Sequence, residues 1–166
     1  MQIVEKKVSA GNCDIFDLNE FLGRPLFAHL AHNAEQGPCE SPVWFHWGGE
    51  AVWIIGGTSF PQNVKREPIC AVGIVDWDLA TGRLHHVGFR GKAEVVAFDP
   101  QTAKTIFRKY FGPEEQEWDQ RFADVFTGEV GLELVRFVPA TVIMRDQSYT
   151  PTPWAQQRER TKHGAA

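Results

Sequence analysis

The chain has 166 residues, 43% of them hydrophobic and 12% aromatic, and carries a formal net charge of −4 at pH 7. That length encloses one substantial core and is short for two, and its scattered Lys and Arg form no basic patch, which argues against nucleic acid or an anionic membrane as partner. The opening residues Met1-Gln2-Ile3-Val4-Glu5-Lys6-Lys7 hold no apolar run of signal-peptide length, and no later run is long enough to span a bilayer, so a cytoplasmic protein is expected.

In chain order, the first predicted element is a short helix. Asp14 suits an N-cap, Ile15, Leu18 and Leu22 recur at helical spacing, and Gly23 before Arg24-Pro25 ends it. A strand from Leu26 to His32 leads through Glu35-Gln36-Gly37-Pro38 into two Val-, Ile-, Trp- and Phe-rich runs between Glu40 and Ile55, split by Gly48-Gly49 as a β-hairpin. Gly56, Gly57, Thr58, Ser59 and Asn63 follow; side chains this small or polar can approach a phosphate or a polar ring, so the hairpin delivers a ligand-binding loop. Cys70 to Trp77 is a further strand, turned by Ala80-Thr81-Gly82 into the longest candidate, Leu84 to Phe98. There His85, Val87, Phe89, Gly91, Ala93, Val95 and Ala97 form a nearly apolar face opposite His86, Gly88, Arg90, Lys92 and Glu94.

Asp99-Pro100 opens a helix with Ala103, Ile106, Phe107, Tyr110 and Phe111 on one stripe, and Gly112-Pro113 closes it. A second helix is predicted from Glu114 to Gly128 on Trp118, Phe122, Val125 and Phe126, then a last strand from Leu132 to Met144 that bends at Pro139. Residues 1–150 thus make one domain, and 151–166 lose periodicity as an extended or disordered tail, apart from Trp154. Cys13, Cys39 and Cys70 are an odd number without a Cys-x-x-Cys pair, which favours reduced, mostly buried thiols. His29 and His32 point to opposite faces of their strand, as do His85 and His86, so no metal site is expected. About six antiparallel strands with late helices favour a mainly β, closed or split barrel, because closure removes exposed strand edges.

Several of these segments together resemble one family. Leu22-Gly23-Arg24-Pro25-Leu26, the Pro42-Val43-Trp44-Phe45 run, the aliphatic strand after it, Asn63-Val64-Lys65-Arg66-Glu67-Pro68 and Phe89-Arg90-Gly91-Lys92-Ala93-Glu94-Val95 are similar to the pyridoxamine 5′-phosphate oxidase-like, flavin-binding split barrels, over about Phe21 to Phe98. The resemblance implies a six-stranded antiparallel FMN-binding split barrel. An isoalloxazine is a flat apolar plate with hydrogen-bonding edges, which Ser41 to Trp44 and Ile55 to Gly57 suit. By position in the family, Ser41, Val43, Trp44, Gly56 and Gly57 line the ring, and Thr58, Ser59 and Asn63 (with Val64 beside it) resemble the loop that holds the ribityl phosphate. Lys65 or Arg66 would add charge there, and His86 takes the place of a glutamine that the oxidase branch sets against the flavin. One departure stands out: where the family offers a basic pair ahead of the Asn signature, this chain has Ser59 and Phe60.

The residues also carry plainer readings. Trp44, Trp47 and Trp53 suit a core or subunit interface, and Arg90, Lys92 and Glu94 a solvated sheet face. Six tryptophans exceed what a small barrel encloses, so a homodimer is expected; the resemblance implies flavins at its interface, near Trp118, Trp154 or the tail. Three functions remain open: an FMN-dependent oxidoreductase on a small substrate, a deazaflavin-dependent reductase, and a non-catalytic dimeric binding module. No nucleophile or acid–base triad is visible in the sequence.

Overall fold

The computed structural model describes residues 1–7, 16–57, 60–127 and 131–157. These contain eight strands, β1 (Gln2–Lys7), β2 (Ala28–Ala34), β3 (Gly37–Val43), β4 (Phe45–Trp47), β5 (Val52–Gly56), β6 (Ile69–Asp78), β7 (Arg83–Ala97) and β8 (Glu133–Asp146), and four helices, α1 (Leu18–Gly23), α2 (Phe60–Arg66), α3 (Pro100–Phe111) and α4 (Gln120–Ala123). Alternation sets which face each strand buries. Ala28, Leu30 and His32 of β2 turn inward while His29 and Ala31 turn out, and β6 buries Cys70, Val72, Ile74 and Asp76 in the same rhythm. The inward side chains meet in a core around Leu30, Phe45, Ile54, Ile74, Val87, Phe89 and Phe137, none more than 1% exposed.

The sheet runs β3-β2-β6-β7-β8-β5-β4. Since β3 and β4 are halves of one stretch of chain interrupted only at Trp44, this path returns to the segment where it starts, and the barrel closes with six antiparallel members. The long β8 makes this possible: β7 covers one of its edges, while residues 133–137 pair with β5 on the other. Residues 141–146 of β8 pair with β1, which is parallel and lies outside the predicted set. Its sequence, Gln-Ile-Val-Glu-Lys-Lys, lacks the apolar alternation that reveals a strand. The bend expected at Pro139 is a bulge, where the register steps from Arg90↔Thr141 to Gly91↔Pro139. A Cβ on Gly91 would lie 2.1 Å from the Val138 carbonyl oxygen, so only glycine fits the bulge.

Other differences are local. Asp17 caps α1 by accepting from the Glu20 amide, whereas Asp14, Ile15 and Cys13 lie outside the described residues. The Asn63 segment, expected as a loop, is the helix α2, which buries Phe60, Pro61 and Val64 on one side. In place of one helix from Glu114 to Gly128 the chain makes a 3₁₀ turn (Glu115–Glu117), α4, and a second 3₁₀ turn (Asp124–Thr127), broken where Trp118 turns inward and donates to the Gly112 carbonyl at 3.1 Å. Helix α3 follows the prediction, with Asp99 capping at the Thr102 amide and Gly112 at its C-terminus. Residues 153–157 of the segment expected to be extended form a helical turn that buries Ala155, and 158–166 lie outside the described residues.

Candidate functional site

The break between β3 and β4 builds the site. A strand interrupted at Trp44 leaves backbone groups without ladder partners, and buried ones must find others. Helix α3 supplies them. The Tyr110 hydroxyl accepts from the Phe45 amide at 3.2 Å and donates to the Leu26 carbonyl at 2.7 Å. Next to it, Lys109 Nζ donates to the carbonyls of Leu22 (2.8 Å) and Phe45 (3.2 Å) and sits 3.5 Å from the Phe45 ring centroid. Burial pushes the Tyr110 phenol up to about 12, so it remains a donor, and pulls the Lys109 ammonium down to about 7.

Held this way, the Trp44 ring lies among aromatic side chains of the helical segment. It stacks on Tyr110 at 5.6 Å and meets Phe111 (4.9 Å) and Phe122 (5.3 Å) edge-on. Beside it opens a cavity of about 470 Å³, within the range typical of small-molecule sites. One wall is Pro42, Val43 and Trp44; a second is Ile55, Gly56 and Gly57 at the end of β5. Phe60 of α2, Phe107 of α3, and Phe122 and Val125 from the α4 region complete the surround, with Phe27 and Leu132. Among the described residues, no lining side chain carries a charge. At Gly56 an added Cβ would stand 2.9 Å from both the Glu133 carbonyl oxygen and Pro61, so glycine is required there, whereas a Cβ on Gly57 would meet nothing closer than 4.0 Å and its backbone is open to a ligand.

Of the residues singled out in the sequence, Val43, Trp44, Ile55, Gly56 and Gly57 converge on this cavity. Thr58 and Ser59 lie outside the described residues. Ser41 points instead to His32, its hydroxyl 3.2 Å from Nε2, in a cluster with Cys39 whose Sγ is 3.2 Å from His32 Nδ1. On α2, Asn63 Oδ1 accepts weakly from Arg66 (3.4 Å), Val64 is buried in the core, and Lys65 binds Glu133 at 2.7 Å. His86 stands among the outward residues of β7 with Nδ1 2.8 Å from Arg145 Nη1; burial first, and Arg145 second, hold its pKa below the usual value, which keeps the ring neutral to accept that bond. Trp118 is packed on Phe107 and Phe111 of its own chain, and Trp154 is exposed. Cys70 is buried, and that burial, aided by Glu67, pushes its thiol up to about 11. Among the described residues no three His, Cys, Asp or Glu side chains gather to hold a metal. Sequence reasoning did not identify Phe27, Phe107, Phe122, Val125 and Leu132 as cavity residues, nor Lys109 and Tyr110 as the braces of the kink. The α3 stripe did announce Phe107 and Tyr110 as inward-facing.

The sequence matches no family model and no curated protein. Its structure does have relatives. The conserved hypothetical protein Rv2991 from Mycobacterium tuberculosis superposes with a TM-score of 0.64 at 20% identity, over 83% of this chain and 90% of that one. An F420 reductase matches at 0.56 and 25% identity, over 75% and 94%. A pyridoxamine 5′-phosphate oxidase candidate from Listeria innocua matches at 0.54 and 16% identity, over 75% and 92%. This chain has the pyridoxamine 5′-phosphate oxidase-like split-barrel fold. For such a split barrel the flavin implied by the sequence can be tried against the cavity part by part. The ring fits: the space is apolar, aromatic side chains are available for its faces, and the open Gly57 backbone is available for its rim. The phosphate finds no such match among the described residues: their lining offers no cation, and those of α2 already lie against acceptors, Lys65 on Glu133 and Arg66 on Asn33 and Glu35.

Proposed function

We propose that this split barrel binds the ring of a flavin-type cofactor in the Trp44 cavity and acts as an oxidoreductase on a small molecule. The observation that carries the reading is the convergence of Val43, Trp44, Ile55, Gly56 and Gly57 on one open cavity whose described lining is uncharged. When bound, such a ring supplies hydride exchange at its central nitrogen-bearing ring, and the protein has no need of an amino-acid nucleophile. The chain's own residues bind and shield: Trp44, Phe107 and Phe122 offer aromatic surfaces, the Gly56–Gly57 backbone lies at the rim, and the α4 segment keeps water from the inner wall. FMN is the first cofactor to try; a deazaflavin is the second, favoured by the 25% identity to an F420 reductase.

The working unit we propose is a cytoplasmic homodimer. Ile69, Val75 and Trp77 alternate along one face of β6 at 54%, 48% and 58% exposure, an apolar row of the kind a two-fold partner covers. The absorbance of the purified protein across the near-ultraviolet and blue tests the cofactor: a flavin band, a deazaflavin band or bare protein absorbance separates the alternatives. Titration of the apoprotein with FMN, riboflavin and a deazaflavin, followed by fluorescence quenching, should saturate. Absence of saturation with all three removes the reading.

A further inference from the structure

The proposal that follows rests on the reading of the Trp44 cavity as a flavin-ring site and concerns how that site chooses its ligand. We propose that Glu133 is a specificity-determining residue: by holding Lys65 it denies a phosphate its cation, and the cavity selects its ligand by the ring alone, taking riboflavin as well as FMN.

Several observations point there. The described cavity lining is uncharged, so a cation for a phosphate is sought at its edge. On that edge stands Glu133, which opens β8 in register with Gly56 and whose carbonyl oxygen touches the space a Gly56 Cβ would occupy. Its carboxylate takes Lys65 Nζ at 2.7 Å. The other described cations on the surrounding elements are matched as well. Arg66 reaches the Asn33 carbonyl at 2.9 Å and Glu35 at 3.4 Å. Arg121 lies over the Phe122 ring and 3.3 Å from Asp119. Lys104 and Arg108 share Glu115, and Lys109 is enclosed by carbonyls. Thr58 and Ser59, which separate Gly57 from Phe60 in the sequence, carry no charge.

Exposed pairs such as Lys65–Glu133 are individually weak and can open. Opening does not help a phosphate dianion, because the freed carboxylate remains beside it and the local charge stays balanced. Charge-assisted contacts are the strong ones, and a phosphate held by even one gains about tenfold or more in affinity. Here that gain is missing by construction, while the ring's contacts with Trp44 and its neighbours are the same for both ligands.

The test is a pair of titrations of the whole chain, with FMN and with riboflavin, at low and moderate salt, on the wild-type protein and on Glu133→Gln. The expected wild-type result is dissociation constants within about threefold of each other, with FMN no more salt-sensitive than riboflavin. Glu133→Gln, which keeps the backbone pairing and the side-chain shape but releases Lys65, should tighten FMN about fivefold or more relative to riboflavin and leave riboflavin unchanged. Wild-type FMN binding tenfold tighter than riboflavin overturns the inference and leaves the flavin reading standing. So does a ratio that Glu133→Gln fails to move. Saturable binding of neither ligand overturns both.

Discussion

Two parts of this barrel solve the same problem in opposite ways. The β6–β7 ladder satisfies its own backbone: ten consecutive residues from Ile69 to Asp78 pair with Lys92 to Arg83 in unbroken register, and the side chains have only to alternate. Twenty-odd residues earlier, the chain breaks at Trp44, and the backbone of Phe45 is satisfied by Tyr110 and Lys109, 65 and 64 residues away in sequence. The ladder is regular. The kink is irregular, frees Trp44 from the alternation of a strand, and has the cavity beside it. Irregular backbone costs free energy unless side chains complete it, and the place where they do so is where this fold has room for a ligand.

If that division is right, damage to the ladder should lower stability and damage to the kink should lower binding. The largest expected loss comes from Phe89→Ala, on β7 and 1% exposed, which should cost about 3–5 kcal/mol in a denaturant melt while the folded fraction keeps its flavin affinity. Tyr110→Phe removes one hydroxyl that serves both the Phe45 amide and the Leu26 carbonyl. It should cost about 1–3 kcal/mol and also weaken flavin quenching, because the two orphaned groups can be re-satisfied only by moving the strand that carries Trp44. A Tyr110→Phe protein that melts and binds like wild type would show that the kink holds itself.

The same division explains what could be read from the sequence. The antiparallel strands and α3 were legible because period-two and period-3.6 burial leaves a local trace, and Asp99 and Gly112 mark helix ends that any reader of caps finds. Val43, Trp44 and Gly56 to Gly57 were legible as a ligand region through small residues and family likeness. Strand β1 was not, because a parallel strand added to the free half of β8 needs a partner edge rather than a pattern of its own. Helix α2 was hidden by Phe60-Pro61-Gln62-Asn63, whose residue types suit a loop until Phe60 and Val64 are seen to share a buried side. Phe107 and Phe122 carry no mark that separates lining a cavity from filling a core. Nor does a sequence reveal that Lys65 will be spent on Glu133, since the two meet only when β8 comes to lie against β5.

Lys109 offers a pH test of the kink. Burial brings its ammonium down to about 7 from the ordinary 10.5, so between those values the unfolded chain binds a proton that the folded chain releases. Stability should therefore rise with pH across that window, with a slope of at most about 1.4 kcal/mol per pH unit for one proton. Lys109→Met should flatten the slope. A wild-type melt that is level from pH 7 to 9 would mean that the Leu22 and Phe45 carbonyls keep the ammonium charged despite its burial.

The smallest effect is expected on the outer face of the adjoining β7–β8 pairing. Arg136 of β8 faces Glu94 of β7 across the sheet at 2.8 Å and on its other side lies 5.8 Å from the Trp53 ring of β5, one residue from the wall strand's Ile54 and two from the cavity's Ile55. Both partners of the ion pair are about a third or more exposed, which limits the pair to about 0.2–1 kcal/mol, weakened by salt. Glu94→Gln should lose the salt-sensitive part alone, and Arg136→Gln slightly more because the Trp53 contact goes too. Neither should alter flavin binding, since the row crosses three strands whose backbone pairing does not depend on it. Differential melts at low and high salt, with a flavin titration on each variant, measure this. A drop in affinity on Arg136→Gln would mean that Trp53 transmits the state of the outer sheet to the Ile55 wall, and the separation of ladder from kink would fail at β5.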